Sequence, residues 1–449
     1  MASLTIIASE RTSWAAPEEP SAPSLPSADE VPEPDRIAEL EARLADLEAR
    51  MAQQEVPPEA SPIFFNGYVD FGFFVPLGNL GVGWVRDFGN TQFPQYSNFG
   101  WTFLGDILAT TVNTRGEVAD LGDAPGINRF DSINSDGAAG FLVNEVNARL
   151  GYQLSENATL RTSINFVPRT GATDFSLGDF FDVDIAELEY ILTEDGGTSV
   201  FVGKMLPVFG IEYKERKSDQ RFGITPSLIH RYTSGNQLGL KFRSKLLDNW
   251  VIIAGSLTNN TSGTEQFHFY SEVDRNSGKT LNGRIAINVP IERLIAALVG
   301  DSLEIGFSAM WGPQDRATDN SGSAWMIGAD LTYSSANFAL KAQWVRGRSP
   351  GRPEERVWEL NLQHSGYVEL DWMVFPFLGV LARAELRDAE VFLTNERYYL
   401  TKGYRITGGL RAVFNPHVAL KAEYLHNGEF GGISPIANDI VTSSLVLSY

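Results

Sequence analysis

The chain has 449 residues, no cysteine and a formal net charge of −20. The lack of cysteine excludes disulfide bonds and cysteine-ligated metal sites, and the acidic balance argues against general nucleic-acid binding. No apolar run in the sequence approaches the eighteen residues of a transmembrane helix. Glycine (42 residues) and aromatic residues (11%) are both abundant, which suits many strands joined by tight turns.

Residues 1–34 are predicted to be a disordered N-terminal segment, because residues 16–34 are rich in Pro, Ala, Ser and Glu and cannot bury a core. The only early apolar run, residues 4–8, is too short for a secretory signal peptide. We therefore expect a misassigned start codon or a truncated signal. The alternative is a cytoplasmic protein, against which the end of the chain argues.

Residues 35–58 carry a heptad pattern. Apolar residues fall at the a and d positions of a coiled coil: Ile37, Leu40, Leu44, Leu47 and Met51. Pro57 and Pro58 end the predicted helix. A helix this short is marginal in water, so we predict that it associates with copies of itself. The alternative is a solitary amphipathic helix lying on a surface.

From Ile63 onward the apolar period changes to two, which indicates β-strands. The alternation predicts about sixteen strands, at residues 63–75, 141–154, 158–167, 182–192, 199–205, 236–245, 249–258, 280–289, 302–312, 324–333, 337–347, 356–372, 379–387, 403–414, 417–426 and 438–449. A further short element is predicted at residues 103–112. Short turns alternate with longer polar loops, as in outer-membrane barrels.

Periodicity alone does not separate a soluble β-sandwich from a membrane barrel. Two features favour the barrel. The polar face of nearly every strand carries both signs of charge, and aromatic residues recur near strand ends on the apolar face, as in interfacial girdles: Trp311, Trp325, Tyr333, Trp344, Trp358, Trp372, Tyr404 and Tyr424. The fold class predicted is all-β, a transmembrane antiparallel barrel over residues 59–449 preceded by the coiled-coil helix.

The end of the chain gives the third argument for a barrel. Val441, Leu445, Leu447 and Tyr449 alternate onto one face, and the last residue is aromatic. This ending resembles the C-terminal assembly signal of bacterial outer-membrane proteins, although Ser443 stands where that pattern has a large apolar group. The resemblance implies recognition by the barrel assembly machinery and placement in the outer membrane, with outer-membrane lipid around the barrel and the N-terminal segment in the periplasm.

Residues 202–213, VGKMLPVFGIEY, carry a second resemblance. A strand runs through a glycine and a Pro-x-Phe-Gly turn into a long loop, which resembles the phosphate-selective porin O and P family of bacterial outer-membrane porins. The resemblance implies a homotrimer of sixteen-stranded barrels whose third external loop folds into the pore. In this chain that loop would span about residues 206–235.

Inward-facing basic residues are the candidate pore lining. The wall candidates are Lys241, Arg243, Lys245, Arg383, Arg387, Arg405 and Arg411; the other basic residues predicted to point inward are Arg149, Arg161, Lys204, Arg284, Lys341 and Lys421. The constriction-loop candidates are Lys214, Arg216, Lys217 and Arg221. Rings of such residues favour anions, so we expect a weak anion preference. The alternative is that they pair with acidic neighbours such as Glu385 and Glu423 and only keep the wall wetted.

No enzymatic or metal-binding pattern is found. The five histidines show no metal-ligand spacing and no recognisable Ser or Asp partner, so we expect no enzyme, no cofactor and no metal. The function expected is a porin channel for passive diffusion of small hydrophilic solutes or ions. The alternative is a structural anchor whose N-terminal segment tethers the outer membrane to the cell wall.

Overall fold

A computed structural model describes residues 62–77, 139–166, 181–234, 237–259, 277–291, 295, 300–313, 323–349, 359–393, 396–400, 402–430 and 439–449. The predicted N-terminal segment, the coiled coil and the element at residues 103–112 lie outside this part of the chain, and those assignments stay predictions.

The described residues form β-strands almost throughout. The strands are β1 Ile63–Pro76, β2 Gly140–Ser155, β3 Ala158–Phe166, β4 Phe181–Ile191, β5 Thr198–Met205, β6 Gln237–Leu246, β7 Val251–Thr258, β8 Thr280–Pro290, β9 Ser302–Pro313, β10 Ser323–Ser334, β11 Phe338–Ser349, β12 Glu359–Phe375, β13 Leu378–Leu393, β14 Glu396–Leu400, β15 Gly403–Asn415, β16 Val418–Glu429 and β17 Ile440–Ser448. Two short helical turns, Glu212–Glu215 and His230–Thr233, lie between β5 and β6. None of the helical turns described has the length and apolar character needed to cross a membrane.

The strands form one closed antiparallel barrel. Each strand pairs with its neighbour in the chain, and β1 also pairs with β17, which closes the sheet. The short β14 pairs with the outer end of β13 while β15 pairs with the rest of it, so β14 and β15 share one position. The barrel therefore has sixteen positions, and the predicted fold class is confirmed.

The direction of the two strand faces separates a membrane barrel from a sandwich. On β9, Phe307 points outward with 62% of its surface exposed, whereas the adjacent Ser308 points inward and is buried. On β1, Asp70 is likewise buried inside, between the exposed Phe71 and the half-buried Val69. An apolar exterior around a polar interior is the arrangement of a barrel in lipid and the reverse of a sandwich. Several of the predicted girdle aromatics are exposed outside: Trp311, Trp344, Trp372 and Tyr424.

The C-terminal residue is held against the first strand. The backbone N–H of Tyr449 donates to the carbonyl of Gly67 at 3.0 Å, and the N–H of Gly67 donates back at 3.3 Å. The Tyr449 ring is half exposed on the outer face, 5.4 Å from the ring of Phe65. A Cβ at Gly67 would lie 2.5 Å from the Tyr449 hydroxyl, so glycine there makes room for the terminal ring.

The strand boundaries differ from the predicted ones at a few places. Strand β7 begins at Val251 and not at Asn249, because Leu247, Asp248 and Asn249 adopt positive φ angles of 54°, 54° and 68° in the preceding turn. Residues 388–393 and 396–400, which the predicted strands leave out, continue β13 and form β14. Pairing between neighbouring strands extends them here, because ladder hydrogen bonds do not require an alternating sequence.

Candidate functional site: the barrel lumen and its internal loop

Residues 206–234, between β5 and β6, fold into the barrel lumen; we call them the internal loop. The loop brings its own apolar core, since Phe209, Ile224, Ile229 and Tyr232 are all at most 2% exposed. Burial of this apolar surface helps to keep the segment folded in an otherwise polar lumen. The resemblance predicted an inward loop at residues 206–235, and the structure places the loop there.

The loop turns inward at Gly210. Its φ angle of +69° is one that side chains rarely tolerate, and an added Cβ would lie 2.3 Å from the amide of Gln343 on β11. The N–H of Gly210 donates to the hydroxyl of Ser308 at 3.0 Å, and the N–H of Ile211 donates to Gln343 Oε1 at 2.9 Å. These contacts fix the start of the loop against β9 and β11.

The middle of the loop is bound to the first two strands. Ser218 donates its hydroxyl hydrogen to Asp70 Oδ2 on β1 at 2.5 Å. Lys217 Nζ lies 3.0 Å from Glu145 Oε1 on β2. Hydrogen bonds to charged groups contribute about 1.5–3 kcal/mol each, so this side of the loop is strongly held.

A bidentate ion pair adds to the anchoring on β2. Both terminal nitrogens of Arg149 donate to the carboxylate of Asp219, at 2.6 and 2.7 Å. Its guanidinium also lies 5.4 Å from the centre of the Tyr68 ring. A forked arginine–carboxylate pair fixes direction as well as distance.

Strand β16 contributes an ammonium group enclosed by loop carbonyls. Lys421 Nζ donates to the carbonyl oxygens of Ser218 and Arg221 at 2.6 Å each, and to that of Gly223 at 2.9 Å. Lys421 is 1% exposed. One side chain therefore satisfies three backbone acceptors of a buried irregular segment, which would otherwise lack partners.

Glu423, two residues further along β16, binds the next part of the loop. Its carboxylate accepts the backbone N–H of Ile224 at 2.5 Å, and the N–H and hydroxyl of Thr225 at 3.0 and 2.7 Å. The cationic Lys421 thus donates to backbone carbonyl groups of the loop, and the anionic Glu423 accepts from its backbone N–H groups.

The far end of the loop is bound to β13. Arg383 donates to the hydroxyl of Thr225 at 2.9 Å, and Glu385 accepts the backbone N–H of Leu228 at 2.6 Å. Arg383 also pairs with Glu385 and with Glu369, at 2.7 and 2.9 Å. Arg383 and Glu385 are therefore engaged both by the loop and by each other.

A carboxylate inside the loop ties its two halves together. Glu212 accepts the N–H and hydroxyl of Ser227 at 2.7 and 2.6 Å, and its Oε1 lies 3.4 Å from Nδ1 of His230. Burial alone would raise the pKa of Glu212. The attraction of His230 and the hydrogen bonds from Ser227 outweigh burial, and lower the pKa to about 2.

The predicted loop cations have two different environments. Lys214 keeps 43% of its side chain exposed while lying 2.8 Å from Glu304 of β9. Arg216 and Lys217 are buried against Asp184 of β4, and Arg221 is buried with its guanidinium 3.2 Å from the carbonyl of Arg216. Of the four, Lys214 is the one with substantial exposure to the lumen.

The predicted wall cations likewise include residues that are exposed to the lumen and residues that are buried. Arg243 on β6 keeps 39% of its side chain exposed and lies 3.0 Å from Glu189. Neighbouring Lys241 is 3.5 Å from Glu187, and Lys245 is exposed near the short turn after β6. On the other side of the barrel Arg383, Arg387 and Arg405 are at most 4% exposed, and Arg411 NH1 is 3.5 Å from the carbonyl of Arg221.

Some residues that hold the loop were not singled out from the sequence. Asp184, Ser218, Thr225 and Gln343 are polar residues at positions where their roles depend on distant partners. Strict alternation from the inward Glu187 and Glu189 would place Asp184 outside, and the irregular β3–β4 pairing beside Ile185 turns it inward. No local pattern shows which loop cation it meets. Within the described residues, no group of three or more His, Asp or Glu side chains is arranged to hold a metal ion.

No protein-family model and no curated protein matches the sequence. Among solved structures, the outer membrane channel DcaP of Acinetobacter baumannii superposes with a TM-score of 0.52 at 10% identity, over 86% of this chain and 97% of that one. A loop-deletion variant of OmpT, an outer membrane protein of Vibrio cholerae, gives 0.51 at 8% identity, over 86% and 99%. The chain has the fold of outer-membrane porins and channels. The likeness is one of architecture, and the finer resemblance to the phosphate-selective family stays a prediction.

Proposed function

We propose that the protein is an outer-membrane porin, a water-filled channel for passive diffusion of small hydrophilic solutes and ions. The observation that supports this most strongly is the uneven attachment of the internal loop. Most of its side-chain anchors lie on β9, β11, β13, β16, β1 and β2. On the opposite wall, Asp184 of β4 and a 3.4 Å bond from Lys241 of β6 to the carbonyl of Leu206 also hold it. Across the lumen, Arg161 on β3 and Arg243 on β6 keep 44% and 39% of their side chains exposed. The loop narrows the lumen, and the sector beside the short-turn ends of β3 and β6 stays open to water.

The charges of this open sector support a weak anion preference. Arg161 and Arg243 both contact Glu189, at 2.6 and 3.0 Å, and Glu189 is itself only 6% exposed. The arginines thus present more surface to water than the acid that neutralises them. A passing ion senses charges within about a Debye length, roughly 8 Å at physiological salt, so the acidic excess of distant segments is screened.

Planar-bilayer recording with a KCl gradient tests both parts of the proposal. We expect stepwise open currents and a zero-current potential whose sign indicates that chloride permeates more readily than potassium. The double variant Arg161→Gln, Arg243→Gln should shift that potential in the direction of potassium preference. Glu189→Gln should shift it in the direction of stronger chloride preference. A silent barrel would contradict the channel and favour the anchor that tethers the membrane to the cell wall. A wild-type pore that prefers potassium would contradict the anion preference alone.

We further propose that the functional unit is a homotrimer, helped by the heptad segment, and that the barrel assembly machinery reads the C-terminal strand. The half-exposed Tyr449 ring on the outer face supports the second point, because an exposed terminal aromatic is accessible to a recognising partner. The tests of both points follow in the Discussion.

A further inference from the structure

Two arginines point outward from the barrel near the loop end of β11. Arg346 and Arg348 are exposed, while Val345 is 0% exposed and Gly347 is buried. They share the outer face with Trp344, which is 37% exposed. An arginine on the lipid face costs about 2–4 kcal/mol at the bilayer midplane and about 0–1 near the interface. Two in succession on this face therefore indicate a position near the headgroups.

The strand register places this pair in an aromatic row. Arg348 is the cross-strand partner of Trp325 on β10, and Trp325 is the partner of Trp311 on β9. Direct partners on one face of an antiparallel sheet lie about 4.5–5.5 Å apart. Outward tryptophans are typical of the headgroup level of a membrane, so the arginines lie at that level on the loop side of the barrel.

An apolar groove lies on the same outer face, directly below Arg346. Its floor consists of small residues, Ala342, Gly366 and Ala384 among them, and its sides include Trp344 and Leu386. The register confirms the order: Trp344 is opposite Gly366, which is opposite Leu386. His364 lines the upper end, with its ring 6.0 Å from that of Trp344. Small side chains between large ones leave a channel for a narrow apolar chain.

We propose that this face binds a phosphorylated, acylated lipid of the outer leaflet, with phosphate on Arg346 and Arg348 and one acyl chain in the groove. The inference rests on the outer-membrane placement proposed above. Charge complementarity selects the occupant, because an arginine fork matches phosphate oxygens in bidentate geometry. The positions along the membrane normal also match such a lipid. The two arginines lie at headgroup level, where its phosphate would be, and the groove extends toward the bilayer interior, where its acyl chain would be.

The test is titration of the full-length protein in neutral-lipid nanodiscs with bis-phosphorylated lipid A, followed by native mass spectrometry. Arg346→Gln should weaken binding about tenfold, the equivalent of about 1.4 kcal/mol for one charge-assisted hydrogen bond. Dephosphorylated lipid A should show a similar loss on the unchanged protein. Ala384→Phe should fill the groove and weaken binding. Its matched control is Ala382→Phe, on the same strand and the same exposed face but outside the groove, which should bind as the unchanged protein does.

Any one of three binding results would overturn the proposal. The unchanged protein could bind phosphorylated and dephosphorylated lipid A with equal affinity, or Ala384→Phe and Ala382→Phe could change the affinity for lipid A equally. The third result is that Arg346→Gln binds lipid A as tightly as the unchanged protein. If Ala384→Phe but not Ala382→Phe dissociated the oligomer in light scattering, the groove would be a contact between copies of the chain, and the lipid proposal would again be wrong. Conductance is measured separately, so a barrel that binds lipid A but carries no current would refute the channel and leave the lipid site standing.

Discussion

Replacing Lys421 by methionine should release the internal loop from the wall. Methionine keeps an unbranched side chain of similar length but removes three hydrogen bonds, at 2.6, 2.6 and 2.9 Å, from carbonyls of the loop. Bonds to a charged group contribute about 1.5–3 kcal/mol each, and the released carbonyls regain some of this from water. We therefore expect a loss of about 3–5 kcal/mol, the range for breaking a buried ionic contact. A loss of about 4 kcal/mol lowers the ratio of docked to released loop by roughly a thousandfold.

Trypsin reports this equilibrium, because the loop carries cleavable bonds after Lys217 and Arg221 that are buried when it is docked. When opening is fast relative to cleavage, the cleavage rate follows the released population. Cleavage after Lys217 and Arg221 should therefore be about a hundred to a thousand times faster in Lys421→Met than in the unchanged protein, and cleavage after the exposed Lys214 is measured separately. Its bilayer currents should also fluctuate between the usual level and a larger one. The matched control is Lys402→Met, whose ammonium lies 3.1 Å from Asp388 at the loop end of the barrel. A Lys421→Met protein as resistant as Lys402→Met would show that these bonds do not hold the loop.

Three further predictions concern other parts of the chain. Because the pKa of Glu212 is lowered from 4.5 to about 2, its contribution to loop anchoring is full above about pH 4.5 and is lost as the pH falls toward 2. Near-ultraviolet circular dichroism, to which Tyr213 and Tyr232 of the loop contribute, should show this acid transition, and Glu212→Gln should remove it. Deleting Tyr449, whose backbone pairs with Gly67, should lower the yield of folded, heat-modifiable protein, and unchanged yield would count against the assembly signal. Removing residues 1–58 should weaken the trimer without unfolding the barrel, and a full-length protein that is monomeric in mild detergent would contradict the trimer.

The local sequence pattern was sufficient to predict the strands, because one face of each strand contacts lipid along its length and the other contacts the polar lumen. Along β9 the alternation of Phe307 and Ser308 is enough to separate the lipid side from the lumen side. The same rule failed at residues 388–393 and 396–400, where pairing between neighbouring strands extended the ladder beyond the alternating sequence.

The exposure of the inward-facing charged residues could not be predicted from alternation, because it depends on where the internal loop lies. Arg243 and Arg383 occupy equivalent inward positions and are indistinguishable by alternation. The structure leaves Arg243 with 39% of its side chain exposed and Arg383 with 1%, because the internal loop covers one wall and not the other. The loop's position depends on partners as far apart in sequence as Thr225 and Glu423, which no window of the sequence contains.

The sequence by itself determined the class of fold, the number of strand positions, the inward or outward direction of most strand residues and the presence of a loop that enters the lumen. The fold class, the strand positions and the strand faces follow from period-two alternation and turn chemistry, which act over a few residues. The internal loop was implied only by the resemblance of residues 202–213 to outer-membrane porins. Only the tertiary structure decided which charges meet water, which are neutralised behind the loop, and that Arg346 and Arg348 stand above an apolar groove on the outer face. Those outcomes are set by strand register and loop docking, in which residues far apart in the chain become neighbours within a few ångströms.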